Sequence, residues 1–202
     1  MDKKVSTSFH SPSKLKSPKR RFFGRMLVYM NSFSNNIIFL DTEFSSLNPY
    51  KGEILSIGLV KLNGEELYME LEYNGEVDEW VKENVVFYLI EEKVSRKESV
   101  ERIKKFVGDK KPYMLAYVNQ FDAIYIYKLF GTGHDPFNWI PIDFASILFA
   151  TGIDPEEFDK NKNKFCERFG IDFSKYREHH ALDDARLLRE IYLKFVENNK
   201  KK

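Results

Sequence analysis

The chain has 202 residues, 43% of them hydrophobic and 15% aromatic, at a net charge of +1; that is enough apolar material for one substantial core and about one domain. Cys166 is the single cysteine, which excludes an internal disulfide and fits a reducing compartment. No apolar run approaches the roughly twenty residues that span a bilayer, and no signal-peptide core follows the charged N-terminus, so a soluble, cytoplasmic protein is predicted.

The charge is unevenly spread. Before Ile37, eight basic side chains against Asp2 alone leave +7, so a whole-chain charge of +1 puts −6 on the rest. Residues 1–35 are rich in Ser, Lys, Pro and Arg, with Ser11-Pro12 and Ser17-Pro18 as breakers. Such a segment cannot bury enough apolar surface to offset its ordering entropy, and a disordered tail is predicted. Its plainest role is a solubilising extension, or translated leader ahead of Met26 or Met30. An electrostatic arm for nucleic acid is the functional alternative; an organellar targeting segment is a third, weakened by Asp2.

Residues 36–198 read as the folded domain and 199–202 as a frayed, Lys-rich end. Ile37-Ile38-Phe39-Leu40 predicts a strand buried on both faces. A loop over 44–50 leads to a second strand at 53–62, and Asn63-Gly64 is the tight turn before a returning strand at 65–73. Helices are predicted over 78–90 and 99–107. Large aromatics at helical spacing usually belong to the core, and Trp80, Phe87 and Tyr88 are assigned there rather than to base stacking. A strand at 113–118 precedes a helix over 123–130 that Gly131 stops. Ile140 to Phe144 suggests a short strand with Asp143 as a helix cap. Asp154 and Pro155 open a helix running to Gly170, with Cys166 in the core. The final helix spans 181 to about 197.

Carboxylates interrupt this apolar pattern at three places. Asp41 and Glu43 follow the first strand and, being two apart, share a face, with Thr42 turned the other way. Like charges on a core strand are costly unless a divalent cation binds both. Asp122, in Asn119-Gln120-Phe121-Asp122, sits at a strand-to-helix junction, where open α/β sheets gather functional groups. Asp184 falls on the apolar side of the last helix with Ala181, Leu188 and Ile191, whereas Asp183 and Arg186 are predicted to face solvent.

Asp-Thr-Glu ending a first strand, Asn-x-Phe-Asp after a middle strand, and His followed five positions later by Asp together resemble the three motifs of the DEDDh 3′-to-5′ exonucleases, among them oligoribonuclease and ribonuclease T. The resemblance covers residues 37 to about 196. It implies an α/β, ribonuclease H-like fold with a mixed sheet flanked by helices. It also implies Asp41, Glu43, Asp122 and Asp184 as ligands of two Mg²⁺ or Mn²⁺ ions, and His179 as general base. Leu47 matches the hydrophobic wedge between terminal bases, and Thr42, Phe44, Asn119 and Phe121 join it as substrate contacts. His180 stands where the sister group carries tyrosine, and is expected to cap the helix or face solvent. The implied substrate is a single strand with a free 3′ end, RNA before DNA because Asp-x-Glu-Phe-x-x-Leu is closer to the RNA-processing branch; a homodimer is possible. The rivals are a catalytically silent nucleic-acid-binding module and a ribonuclease H-like endonuclease. Five costly polar groups retained on apolar elements argue against the first, and the histidine at this offset argues against the second.

Overall fold

The computed structural model describes residues 32–131 and 133–200. Most of the expected tail, 1–31, and the last two lysines lie outside the described residues.

The apolar run at Ile37 forms strand β1 (Ile37–Phe44), and its alternation feeds two cores at once. Ile37 and Phe39 pack with Leu187, Leu188, Ile191 and Phe195 of the last helix, α7 (Ala181–Lys200), on one face of the sheet. Ile38 and Leu40 pack on the other face with Ile103 of α2 (Arg96–Val107) and with Ala123 and Ile126 of α3 (Gln120–Phe130). Strands β2 (Ile54–Lys61) and β3 (Glu66–Leu71) continue β1 as an antiparallel meander, turned at Gly64 with φ 93°. The short strands β4 (Lys93–Val94), β5 (Tyr113–Ala116) and β6 (Ile142–Asp143) pair in parallel, giving the order β4-β3-β2-β1-β5-β6. The result is the mixed, helix-flanked α/β sheet expected from the sequence.

Local chemistry shifts several boundaries. Ser95 caps α2 by accepting from Glu98 N–H, so this helix starts earlier than predicted. Helix α3 likewise starts at Gln120, which puts Asp122 in its first turn rather than ahead of it. Asp143 caps α4 (Phe144–Ala150) through Ala145 and Ser146 N–H, as expected. The long helix predicted to run to Gly170 is two: α5 (Glu156–Lys160) ends at Asn161, whose side chain accepts from Lys164 N–H and opens α6 (Lys162–Glu167). The helix predicted over 78–90 reduces to α1 (Glu79–Asn84) and a 3₁₀ turn, Val86–Tyr88. Because α1 buries Val81 alone and the 3₁₀ turn buries none of its residues, Trp80 and Phe87 are left 54% and 67% exposed and Tyr88 half-buried, which corrects their assignment to the core. Helix α7 continues to Lys200, past the predicted end. Among the described residues no helix is long and apolar enough to cross a membrane.

Candidate active site

The end of β1 and the first turn of α7 meet because the strand beside β1 has no side chain at the crossing. Gly58 on β2 pairs with Asp41, and a Cβ there would lie 2.3 Å from the Ala181 carbonyl oxygen. This close approach brings Asp184 against the β1 acids. Donor oxygens of Asp41, Glu43 and Asp184 all lie within 4.8 Å of one another. Asp122 stands one step back, on the sheet face that carries α3. Its Oδ1 accepts from both the Thr42 N–H (2.9 Å) and the Thr42 hydroxyl (2.8 Å), so Thr42 ties the strand to the helix and orients that carboxylate. A sharp turn delivers it there: Val118, a β-branched residue, takes φ 52° between β5 and α3.

Asn119, predicted to touch substrate, is buried within this turn. Its Nδ2 donates to the Met114 and Ile142 carbonyls (3.2 and 2.8 Å), satisfying the ends of β5 and β6. The substrate assignment for Asn119 is corrected on that ground.

The electrostatics follow from crowding. Burial, then the charges of Asp184, Glu43 and Asp122, push the Asp41 carboxyl well above its ordinary range. Burial, with Asp184 and Asp122 adding, pushes Glu43 up to about 8. Burial takes Asp122 up to about 7 against its Thr42 hydrogen bonds, and Asp184 up to about 6 against the Lys162 ammonium. Four carboxyls that resist ionising together fit a hard cation with oxygen ligands, since its charge would reverse their repulsion.

His179 and Asp184 share a cleft of about 550 Å³ with Asp41, Glu43 and Asp122. The histidine holds a left-handed conformation, φ 58°, directly before α7. Burial, then the nearby Lys162, lowers its pKa, which favours the neutral imidazole. Behind it stands a network that the sequence does not reveal. Asp183 is 4% exposed, not solvated as predicted: Arg177 Nε (2.7 Å) and Arg186 Nη1 (2.8 Å) donate to it, and Arg186 also forks onto Glu66 of β3. His180 is buried as well, with its ring stacked on Tyr68 at 4.6 Å. Its backbone carbonyl, rather than its side chain, accepts from the Asp183 and Asp184 N–H groups in the first turn of α7.

Phe44, Leu47 and Phe121, expected to contact substrate, line the cleft, with Leu47 63% exposed. The Leu47 loop is anchored to α3: Lys128 Nζ donates to the Pro49 and Gly52 carbonyls, the Tyr125 hydroxyl donates to Ser46 O, and Phe44 stacks on Tyr125 at 4.5 Å. Trp80 also lines the cleft, edge-on to His179 at 4.9 Å between centroids. Tyr117, Phe158 and Lys162 complete the wall and were not singled out from the sequence. For Lys162 no signal existed, because Asn161-Lys162-Asn163-Lys164 reads as a solvated run.

Residues 38–192 match the profile of the family described as Exonuclease. The DNA polymerase III PolC-type of Thermotoga petrophila is 26% identical over 188 residues, covering 88% of this chain and 13% of that protein. Its counterpart from Thermotoga maritima is 25% identical over 174 residues, 81% of this chain and 12% of that protein. The chain therefore spans about an eighth of the length of these relatives. Among solved structures, the zinc-bound E. coli ExoI–ssDNA complex aligns with a TM-score of 0.63 at 17% identity over 82% of this chain and 41% of the other. E. coli Exonuclease I with a 5cy-dT13 oligonucleotide gives 0.61 at 17% identity, over 82% and 40%. At such identity the likeness is one of fold, and that fold is the ribonuclease H-like one expected from the sequence.

Proposed function

The chain belongs to the DEDDh-type 3′-to-5′ exonuclease family, and from that premise we propose that it hydrolyses single-stranded nucleic acid from a free 3′ end, releasing nucleoside 5′-monophosphates. The observation that carries this reading is the convergence of Asp41, Glu43 and Asp184 oxygens within 4.8 Å, in one cleft with a histidine biased toward its neutral form. Dense carboxylate oxygens suit Mg²⁺ or Mn²⁺. Asp41, Glu43 and Asp184 would hold one ion, and Asp41 with Asp122, directly or through water, the second that the family resemblance implies. Bound there, such ions supply charge against the scissile phosphate and make water a better nucleophile at neutral pH.

The chain's own residues do the rest. His179 takes the proton from the attacking water, and its lowered pKa keeps it able to do so at neutral pH. Asp183, held by Arg177 and Arg186, fixes the loop from which His179 projects. Leu47, Phe44 and Phe121 give the terminal bases an apolar wall, and Trp80 adds an exposed ring to the same cleft. Thr42 holds the Asp122 carboxylate against the end of β1. Cys166, buried in the core and unpaired, accords with work in a reducing compartment such as the cytoplasm.

RNA preference rests on the wording of the first motif alone. The relatives named above, a DNA polymerase and an exonuclease bound to ssDNA, favour DNA as strongly. The proposal is therefore for single strands of either sugar. Matched 5′-labelled RNA and DNA, each with a free or blocked 3′ end, test it in the presence of Mg²⁺ or Mn²⁺. Stepwise ladders that vanish on blocking support the reading, and the ratio of the two rates decides the sugar. Internal cuts, or no cleavage, would sink it.

A further inference from the structure

Lys162 is a cation placed among the acids of the site, and we propose that it binds the phosphate of the terminal nucleotide. The inference rests on the exonuclease reading. As the first residue of α6, Lys162 is turned into the cleft by the break at Asn161. Its side chain is 13% exposed, with Nζ 3.1 Å from Glu178 Oε1, 3.8 Å from Asp184 Oδ1 and 5.6 Å from the Phe158 ring centroid.

An ammonium has three donors. Glu178 takes one, and 3.8 Å is too long for a hydrogen bond to Asp184. Among the described residues, two donors are thus left for another acceptor. Among the described residues lining the cleft, Lys162 is the one lysine or arginine, against Asp41, Glu43, Asp122, Asp159 and Asp184. A polyanionic strand entering so acidic a cleft needs a fixed positive group. If Lys162 served merely as counter-ion to the acids, it would compete with the cation they bind and do nothing for substrate. As a phosphate contact it turns its open donors to the incoming oxygen.

The test is binding of adenosine 5′-monophosphate and of adenosine, by calorimetry in Mg²⁺, to the full chain and to Lys162→Met and Lys162→Arg, with circular dichroism to confirm folding. Lys162→Met should bind the monophosphate roughly ten- to a hundredfold more weakly, the range for a hydrogen bond to a charged group. Adenosine affinity should not change, Mg²⁺ affinity should hold or rise, and Lys162→Arg should recover part of the loss. Unchanged monophosphate affinity, or equal loss of both ligands, would overturn the proposal. Wild-type protein that binds the monophosphate and cleaves 3′-free strands while Lys162→Met binds it equally well would remove this inference alone. Wild-type protein that cleaves nothing would remove the exonuclease reading with it.

Discussion

Gly58→Ala isolates the contact that joins the two halves of the site. In the interior of a strand, alanine for glycine ordinarily gains about 0.5–1 kcal/mol through backbone entropy. Here the added Cβ would meet the Ala181 carbonyl oxygen at 2.3 Å, its carbon at 2.4 Å and the Leu182 Cα at 2.5 Å, where ordinary contact begins at 3.4 Å. All three are backbone atoms, so no side chain can swing away, and the start of α7 must retreat by about 1 Å. Overpacking of this kind costs about 1–3 kcal/mol, enough to reverse the sign of the substitution. The retreating turn carries Asp184, three residues on, and drags the loop of His179, two residues back. A shift near 1 Å at reacting groups can cost about 10²-fold in rate. Urea unfolding, Mn²⁺ titration and single-turnover cleavage of one oligonucleotide measure the three effects. The variant should be less stable, bind metal more weakly and cleave far more slowly. A Gly58→Ala protein at least as stable as wild type, with unchanged metal affinity, would refute the idea that this approach places the helix.

Metal-free protein should lose stability as pH rises. Asp41, Glu43, Asp122 and Asp184 bind protons more tightly folded than unfolded, so the stabilisation is complete below the unfolded carboxylate range near 4 and is lost through folded values of about 6, 7 and 8. In EDTA the melting temperature should fall from pH 6.5 to 8.5, and Mg²⁺ should raise it more at the upper end; a rise in EDTA over that interval would contradict the account. Leu47→Ala should raise KM roughly tenfold, since fully covering a leucine side chain is worth about 1.5–3 kcal/mol, with metal affinity unchanged because Leu47 holds no ligand; an unaltered KM for short and long strands would exclude the wedge. Removal of residues 1–31 should flatten the salt dependence of binding to long strands and spare dinucleotide cleavage if the tail is an electrostatic arm; equal salt slopes would leave the solubilising or targeting role.

What the sequence showed and what it hid divide along the reach of local periodicity. Asp41 and Glu43 were legible because alternation in a buried strand assigns faces without knowledge of the partner, and β1 obeys it on both sides. Asp184 was legible because the apolar face of α7 recurs at 3.6 residues. Asp183 was misplaced by the same reasoning, and His180, just ahead of the helix, was given to the cap or to water because the resemblance assigns it no role. A helical wheel gives the remaining positions to water, but Tyr68 and Glu66 of β3 and Arg177 of the preceding loop cover them. Trp80 was assigned to the core because its spacing is helical, yet its helix is six residues long and buries one side chain. Lys162 was invisible, since its direction depends on a helix break that Asn161 makes by capping α6.

The central claim is that carboxylates hold the cation while His179 moves the proton, and one paired measurement tests it: calorimetric Mn²⁺ titration beside single-turnover rates for Asp184→Asn and His179→Ala. Asp184→Asn should bind Mn²⁺ poorly and be only partly rescued by excess, because a charge leaves the oxygen set. His179→Ala should bind Mn²⁺ as wild type does and lose roughly 10²- to 10⁴-fold in rate, the usual contribution of a positioned base. An alanine variant that loses the metal, or one that keeps nearly full activity while His180→Ala does not, would contradict the account.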